Sequence, residues 1–422
     1  MPFQQTLEGK CTSMYKRSFM KTKLNLFYLL LVSVLTVFSC EKTDVVSPNP
    51  VEIGDVSQIV QLQNDFAWKI LEKEMSGSDV NNILISPLSI HTALLMASNG
   101  ADGKTKSEIL NTLGCINCNV NDINQQYNKL VTLLTTQSGH PTVTMTNAYF
   151  YDKNRITLKT DFINILEKHF DCTFVHKNFD EADQSKNEIN QWVKENTNGK
   201  IDGIVDQITP LDVSFLINAL YFKSDWSFGF GKESIIKRNF LQKDGKTPEI
   251  DFVTGDRNIP FVITSDYAMA DLPFKDSTYS LSLILPSTSD KSLDKSTYET
   301  LVAKLQYSRL FIGFPKMNLS YKNGLIPSLK SLGVSDAFNP QLADFTKMGT
   351  AGMNIFINQV QHKAILNIDE KGAEGAAVTS IGFGVTSAPP SIILDKPFYL
   401  VLRHIPSGAI LFSGFVGFDP SK

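Results

Sequence analysis

The chain has few of the residues that carry enzyme chemistry: five cysteines and six histidines among 422 residues, with no pair of histidines at metal-ligand spacing. Cys115-Ile116-Asn117-Cys118 has the spacing of half a redox or zinc motif, but no second pair completes it. In an exported chain it reads as a local disulfide or two buried thiols, without chemistry. Gly-x-Ser-x-Gly and His-Glu-x-x-His are both absent. Gly103-Lys104-Thr105 has Ser98 where a phosphate loop needs its first glycine, and Gly382-Phe383-Gly384 lacks the third glycine of a dinucleotide fingerprint. No cofactor, no metal and no catalytic role are expected. Lysine and arginine form no block and the formal net charge is -3, which argues against nucleic acid as a partner. Nor is there an apolar run of the roughly 20 residues that a membrane span needs.

A targeting pattern stands at the start. Lys21 and Lys23 precede the apolar stretch 24–38, which ends in Ser39-Cys40. Val37-Phe38-Ser39-Cys40 is similar to a bacterial lipobox, so Cys40 is expected to be acylated; the alternative is an ordinary signal peptide with a chance cysteine. The expected division is an upstream mis-start (1–19), a lipoprotein signal peptide (20–39), a polar tether with Pro48 and Pro50 (40–54) and a folded domain (55–422). The protein is then exported and touches a membrane only through its lipid. Its expected place is the bacterial cell envelope, periplasmic or surface-exposed, or the extracellular space.

Asp55 is placed to cap a helix carrying Ile59, Leu62, Phe66 and Ile70, and Ser86-Pro87 opens a second that ends at Gly100. Val143, Met145 and Tyr149 alternate on a strand that finishes near Tyr151. Phe162, Leu166 and His169 share a helical face, as do Ile189 and Trp192. Tyr279, Leu281, Leu283 and Leu285 alternate with serines, which predicts a half-buried strand. Helices early and strands late imply an α+β domain, and 42% hydrophobic composition allows a large core. A lone histidine on an apolar face is read as a core residue, which covers most of the six; His362 is the exception.

The most telling stretch is 370–398. One side carries Ala373, Gly375, Ala377, Thr379, Ile381 and Phe383; the other carries Glu374, Ala376, Val378, Ser380, Gly382 and Gly384. That alternation is a strand's, with one small, apolar face fit for burial. Four glycines and Pro389-Pro390 nevertheless mark a loop. The segment reads as a loop able to become a strand.

These pieces resemble a serpin over nearly the whole mature chain. The blocks that carry the resemblance include Ile85-Ser86-Pro87-Leu88-Ser89, Asn218-Ala219-Leu220-Tyr221-Phe222-Lys223-Ser224-Asp225-Trp226, Phe314-Pro315-Lys316-Met317, His362-Lys363-Ala364-Ile365-Leu366-Asn367-Ile368-Asp369-Glu370-Lys371-Gly372 and Lys396-Pro397-Phe398. The resemblance implies three β-sheets, eight to nine helices and an exposed reactive loop. It also implies suicide inhibition: a target protease cuts the loop, is held as a covalent acyl-enzyme, and is carried off as the loop inserts into the main sheet. Residues 370 to 377 (Glu370, Lys371, Gly372, Ala373, Glu374, Gly375, Ala376, Ala377) match the hinge. An ungapped register puts the reactive bond between Thr386 and Ser387, which suits an elastase-like or subtilisin-like serine protease. Slippage by one or two residues, cleavage after Phe383 by a chymotrypsin-like enzyme, and papain-like cysteine proteases stay open. Ser86, Ser89, Asn218 and His362 match a hydrogen-bonded cluster that controls opening of the large sheet, and Trp226 lies near the point of loop entry. A monomer is expected. A non-inhibitory binding or structural serpin is the alternative.

Overall fold

The computed structural model describes residues 52–76, 82–135, 142–289, 291–373 and 389–421, all inside the unit that spans 51–422. In chain order the first half holds α1 (Ser57–Ser76), β1 (Ile83–Ile85), α2 (Pro87–Gly100), α3 (Gly103–Thr112), α4 (Val120–Thr135), β2 (Thr142–Tyr151) and β3 (Ile156–Leu158). Next come α5 (Thr160–Phe170), β4 (Cys172–His176), α6 (Ala182–Asn196), β5 (Ser214–Asp225), β6 (Ile235–Asn239), β7 (Glu249–Ile263), β8 (Tyr267–Pro273) and β9 (Tyr279–Pro286). The remainder is α7 (Lys295–Ala303), β10 (Gln306–Pro315), β11 (Met317–Gly324), α8 (Ile326–Ser331), β12 (Gly349–Ala351), β13 (Gln361–Ile368), β14 (Gly372–Ala373), β15 (Ser391–Ile393), β16 (Phe398–His404) and β17 (Ile410–Val416).

The helices form where the periodicity places them, with one difference at the first. Asp55 does not cap α1: Ile53–Val56 is a 3-10 turn that runs straight into the helix, and the Asp55 carboxylate pairs with Lys129 Nζ at 3.0 Å. α2 starts as expected, with Pro87 in its first turn and Ser86 Oγ accepting from Ser89 N at 3.3 Å. It is buried on almost every side, so it is the central helix beneath the sheets. α5 closes on Asp171 in the left-handed conformation at φ 48°.

Nine strands make one sheet in the order β1-β17-β16-β9-β8-β7-β10-β15, with β6 on β7. Within it β9 is buried on both faces rather than one: Leu281 and Leu283 lie in the core, and on the other face Ser282 meets Tyr298 of α7. Ser282 Oγ donates to Asp271 Oδ1 at 2.6 Å, and Asp271 in turn accepts from Arg403 at 2.8 Å. A polar face that finds partners can be buried, which the alternation alone does not reveal.

Three smaller sheets stand apart from it among the described residues: β14, β5, β2 and β4 form one, β11 with β13 another, and β12 with β3 the last. Cys115 and Cys118 are bridged between α3 and α4, and Cys172 is a buried free thiol.

Candidate functional site

β13 leaves its partner β11 at Ile368 and the chain reverses at once. Asp369 makes the reversal: its Oδ1 accepts from Lys371 N at 2.7 Å and Gly372 N at 3.2 Å, and its own N–H donates to Gly372 O at 3.1 Å. Gly372 sits at φ 145°, and a Cβ there would lie 2.3 Å from Ser224 O. Only glycine fits.

The turn is held from outside by aromatic residues. Trp226 donates its N–H to Lys371 O at 2.8 Å and its indole Nε1–H to Asp369 O at 3.0 Å. The indole lies flat on Phe274, ring centroids 4.6 Å apart. Phe230 N donates to Glu370 O at 3.2 Å, and Lys316 Nζ reaches Glu370 Oε2 at 3.0 Å. Burial pushes the Glu370 carboxyl up, but its own backbone N–H and the Lys316 ammonium outweigh this and hold it below the ordinary glutamate value.

Past the turn, Gly372 and Ala373 pair antiparallel with Asp225 and Ser224, so the third and fourth hinge residues already lie against β5. Ala373 is 1% exposed. Below that point β5 and β13 share no ladder of hydrogen bonds among the described residues. A cavity of about 180 Å³ lies between them, lined by Leu216, Ile217 and Asn218 of β5, Gln361 and His362 of β13, and Leu94 of α2.

The lower cluster meets around this cavity, in two branches rather than one. In the first, His362 Nε2 accepts from Ser86 N at 3.1 Å; the ring is buried, and burial lowers its pKa to about 4. It is therefore a neutral imidazole that ties β13 to the start of α2. In the second, Ser89 Oγ donates to Asn218 O at 3.5 Å, Asn218 Nδ2 to Asn147 Oδ1 at 2.8 Å, and Asn147 Nδ2 to Phe170 O at 2.7 Å. Asn218 Oδ1 is buried and has no partner among the described residues.

A slot edged by two unladdered strands, with the next segment of chain already turned into its mouth, is an arrangement for receiving a strand. The family model for Serpin (serine protease inhibitor) matches residues 61–417. The chain belongs to the serpin family. As a serpin it is 30% identical to glia-derived nexin of Mus musculus over 378 residues, covering 84% of this chain and 92% of that protein. It is 28% identical to plasminogen activator inhibitor 1 of Sus scrofa, covering 85% of this chain and 92% of that one. Among solved structures it is similar to the thermophilic serpin tengpin in the native state, with a TM-score of 0.78, 27% identity, and coverage of 86% of this chain and 94% of that one. The α+β serpin fold, with eight α-helices among the described residues, is thus the fold of this chain.

Of the hinge, the structure places Glu370, Lys371, Gly372 and Ala373 in the turn and its first rung. Glu374, Gly375, Ala376 and Ala377 lie outside the described residues, as do Thr386, Ser387 and Cys40. Asp369, Asn147 and Lys316 act in the site without having been singled out. A signal existed for Asn147, which interrupts the apolar face of Val143, Met145 and Tyr149 and is buried there.

Proposed function

We propose that this serpin is a suicide-type inhibitor of a serine protease of the elastase-like or subtilisin-like class. The observation that carries the reading is β14 standing as the first rung of an unfilled place beside β5. Continuing the register of Gly372 on Asp225 and Ala373 on Ser224 sets Gly375 opposite Phe222, Ala377 opposite Leu220, Thr379 opposite Asn218 and Phe383 opposite Ser214. Phe222 and Leu220 belong to the main core cluster, whereas Ile217 and Phe215 on the opposite face belong to the smaller one, so the face that the small and apolar residues share is the one turned to the main core. Thr379 brings a hydroxyl to the unpartnered Asn218 oxygen.

The protease serine attacks the Thr386 carbonyl, the peptide nitrogen departs with Ser387, and the ester stays on Thr386. Insertion of 372–386, roughly 50 Å as an extended strand, then draws that ester and the protease away before water can attack. The driving force is the set of strand hydrogen bonds and the apolar area covered at the slot, withheld while the loop is uncut. The test is incubation with an elastase and a subtilisin. An SDS-stable adduct and a released peptide beginning at Ser387 are expected; cleavage without any adduct contradicts the reading. Attachment through an acylated Cys40 in the bacterial envelope completes the proposal, and Cys40→Ser is expected to abolish incorporation of labelled fatty acid and release the protein from membranes.

A further inference from the structure

β10 turns two large rings to solvent, Tyr307 at 65% and Phe311 at 37% exposure. Four residues apart on a strand, they share a face and stand about 13 Å from each other. The opposite face of β10 holds Leu310 and Ile312, both fully buried, so the core is packed without the exposed rings. Between the rings Arg309 Nε donates to Asp256 Oδ1 at 2.9 Å, and its charge is matched by that carboxylate. The face carries an aromatic ring at each end and, between them, a half-exposed ion pair whose charges cancel, so it is locally neutral.

Its position gives it meaning. Phe311 pairs with Ser391 of β15, and Phe311 N donates to Pro390 O at 2.9 Å. The Thr386–Ser387 bond precedes Pro390 by four residues, and a residue spans at most about 3.6 Å, so that bond stays within about 14 Å of this contact whatever path the chain takes. A protease bound to it covers roughly 800 Å² of its partner, a disc of about 16 Å radius. Phe311 falls inside that footprint. The residues after the cut lead to Pro390, so the part of the protease above Phe311 is the rim beside the subsites that receive them.

We infer that Tyr307 and Phe311 form a second docking surface for the target protease, one that selects enzymes with an apolar, uncharged rim on that side of the cleft. The inference rests on the reading of Thr386–Ser387 as the reactive bond. Aromatic anchors of this kind carry much of the binding energy of protein interfaces. The loop then sets which bond is cut, and the rings set how fast the enzyme is captured.

The test compares wild type with Tyr307→Ala, Phe311→Ala and the double variant, against whichever of an elastase, a subtilisin and a chymotrypsin forms the adduct. The second-order rate of adduct formation is expected to fall about tenfold in the double variant, about 1.4 kcal/mol. The fraction of encounters ending in adduct, the melting temperature and the salt dependence of the rate should not change. An unchanged rate overturns the inference, and so does a loss traced to a lower melting temperature or adduct fraction, since the rings would then serve the fold. If wild type forms no adduct with any of the three, the proposed function itself fails and takes this surface with it.

Discussion

Lys316 Nζ stands 3.0 Å from a Glu370 carboxylate oxygen at the point where β13 gives way to the turn. One ion pair thus joins the root of β11 to the last residue before the loop, and it bears on how readily the hinge moves. Glu370→Gln is expected to cost roughly 1 kcal/mol, since Lys316 is a third exposed. The variant should convert on warming to an uncut but inactive form faster than wild type, as followed by loss of adduct-forming capacity. The Glu370 carboxyl is held below its ordinary 4.5, so its contribution is present above that pH and is lost as acid takes it through its lowered value.

Gly372 makes a sharper prediction. Gly372→Ala forces a Cβ to 2.3 Å from Ser224 O at φ 145°, a strain of about 1–3 kcal/mol in the uncut protein. The register that insertion continues keeps Gly372 on Asp225, so the clash with β5 remains after cleavage. The variant should therefore melt lower than wild type in both the intact and the cleaved form, as read by calorimetry on both; a loss confined to one form would show that Gly372 changes its place on insertion.

Thr379 acts on the cleaved form alone. Thr379→Val removes the hydroxyl that the continued register brings to Asn218 Oδ1, leaving a buried acceptor unpaired at a cost of about 1–3 kcal/mol. Only the cleaved form should lose stability. A melt of the intact variant that moves as far as the cleaved one would place Thr379 elsewhere.

The buried histidines set the acid response. His362 and His404 are lowered to about 4, and His91 to about 3, each first by burial. The unfolded chain binds protons at its histidines near pH 6.5 while the folded chain does not, so stability falls from about pH 6.5 towards 4. Denaturant midpoints measured across that range should drop. The slope should lessen in His362→Gln, whose amide can still accept from Ser86 N.

Much of this site is local enough to be legible in the chain. Ser86-Pro87 announces a helix start whatever surrounds it, and the alternation after Glu370 describes a strand face without any sheet to hold it. What pairs across space is different. Asn147 and Asn218 lie 71 positions apart and meet because β2 and β5 share a register, which no periodicity encodes. Ser282 of β9 looks solvent-facing until Asp271 and Tyr298 supply its partners. The resemblance supplied His362 as part of one cluster with Asn218; the geometry divides that cluster, the imidazole going to Ser86 and the amide to Asn147.

The spring itself is tested by melting the intact protein beside the same protein nicked once in the loop. A strand added along β5 should raise the melting temperature by on the order of 10 °C or more. A nicked protein that melts at or below the intact one would contradict a trapped native state.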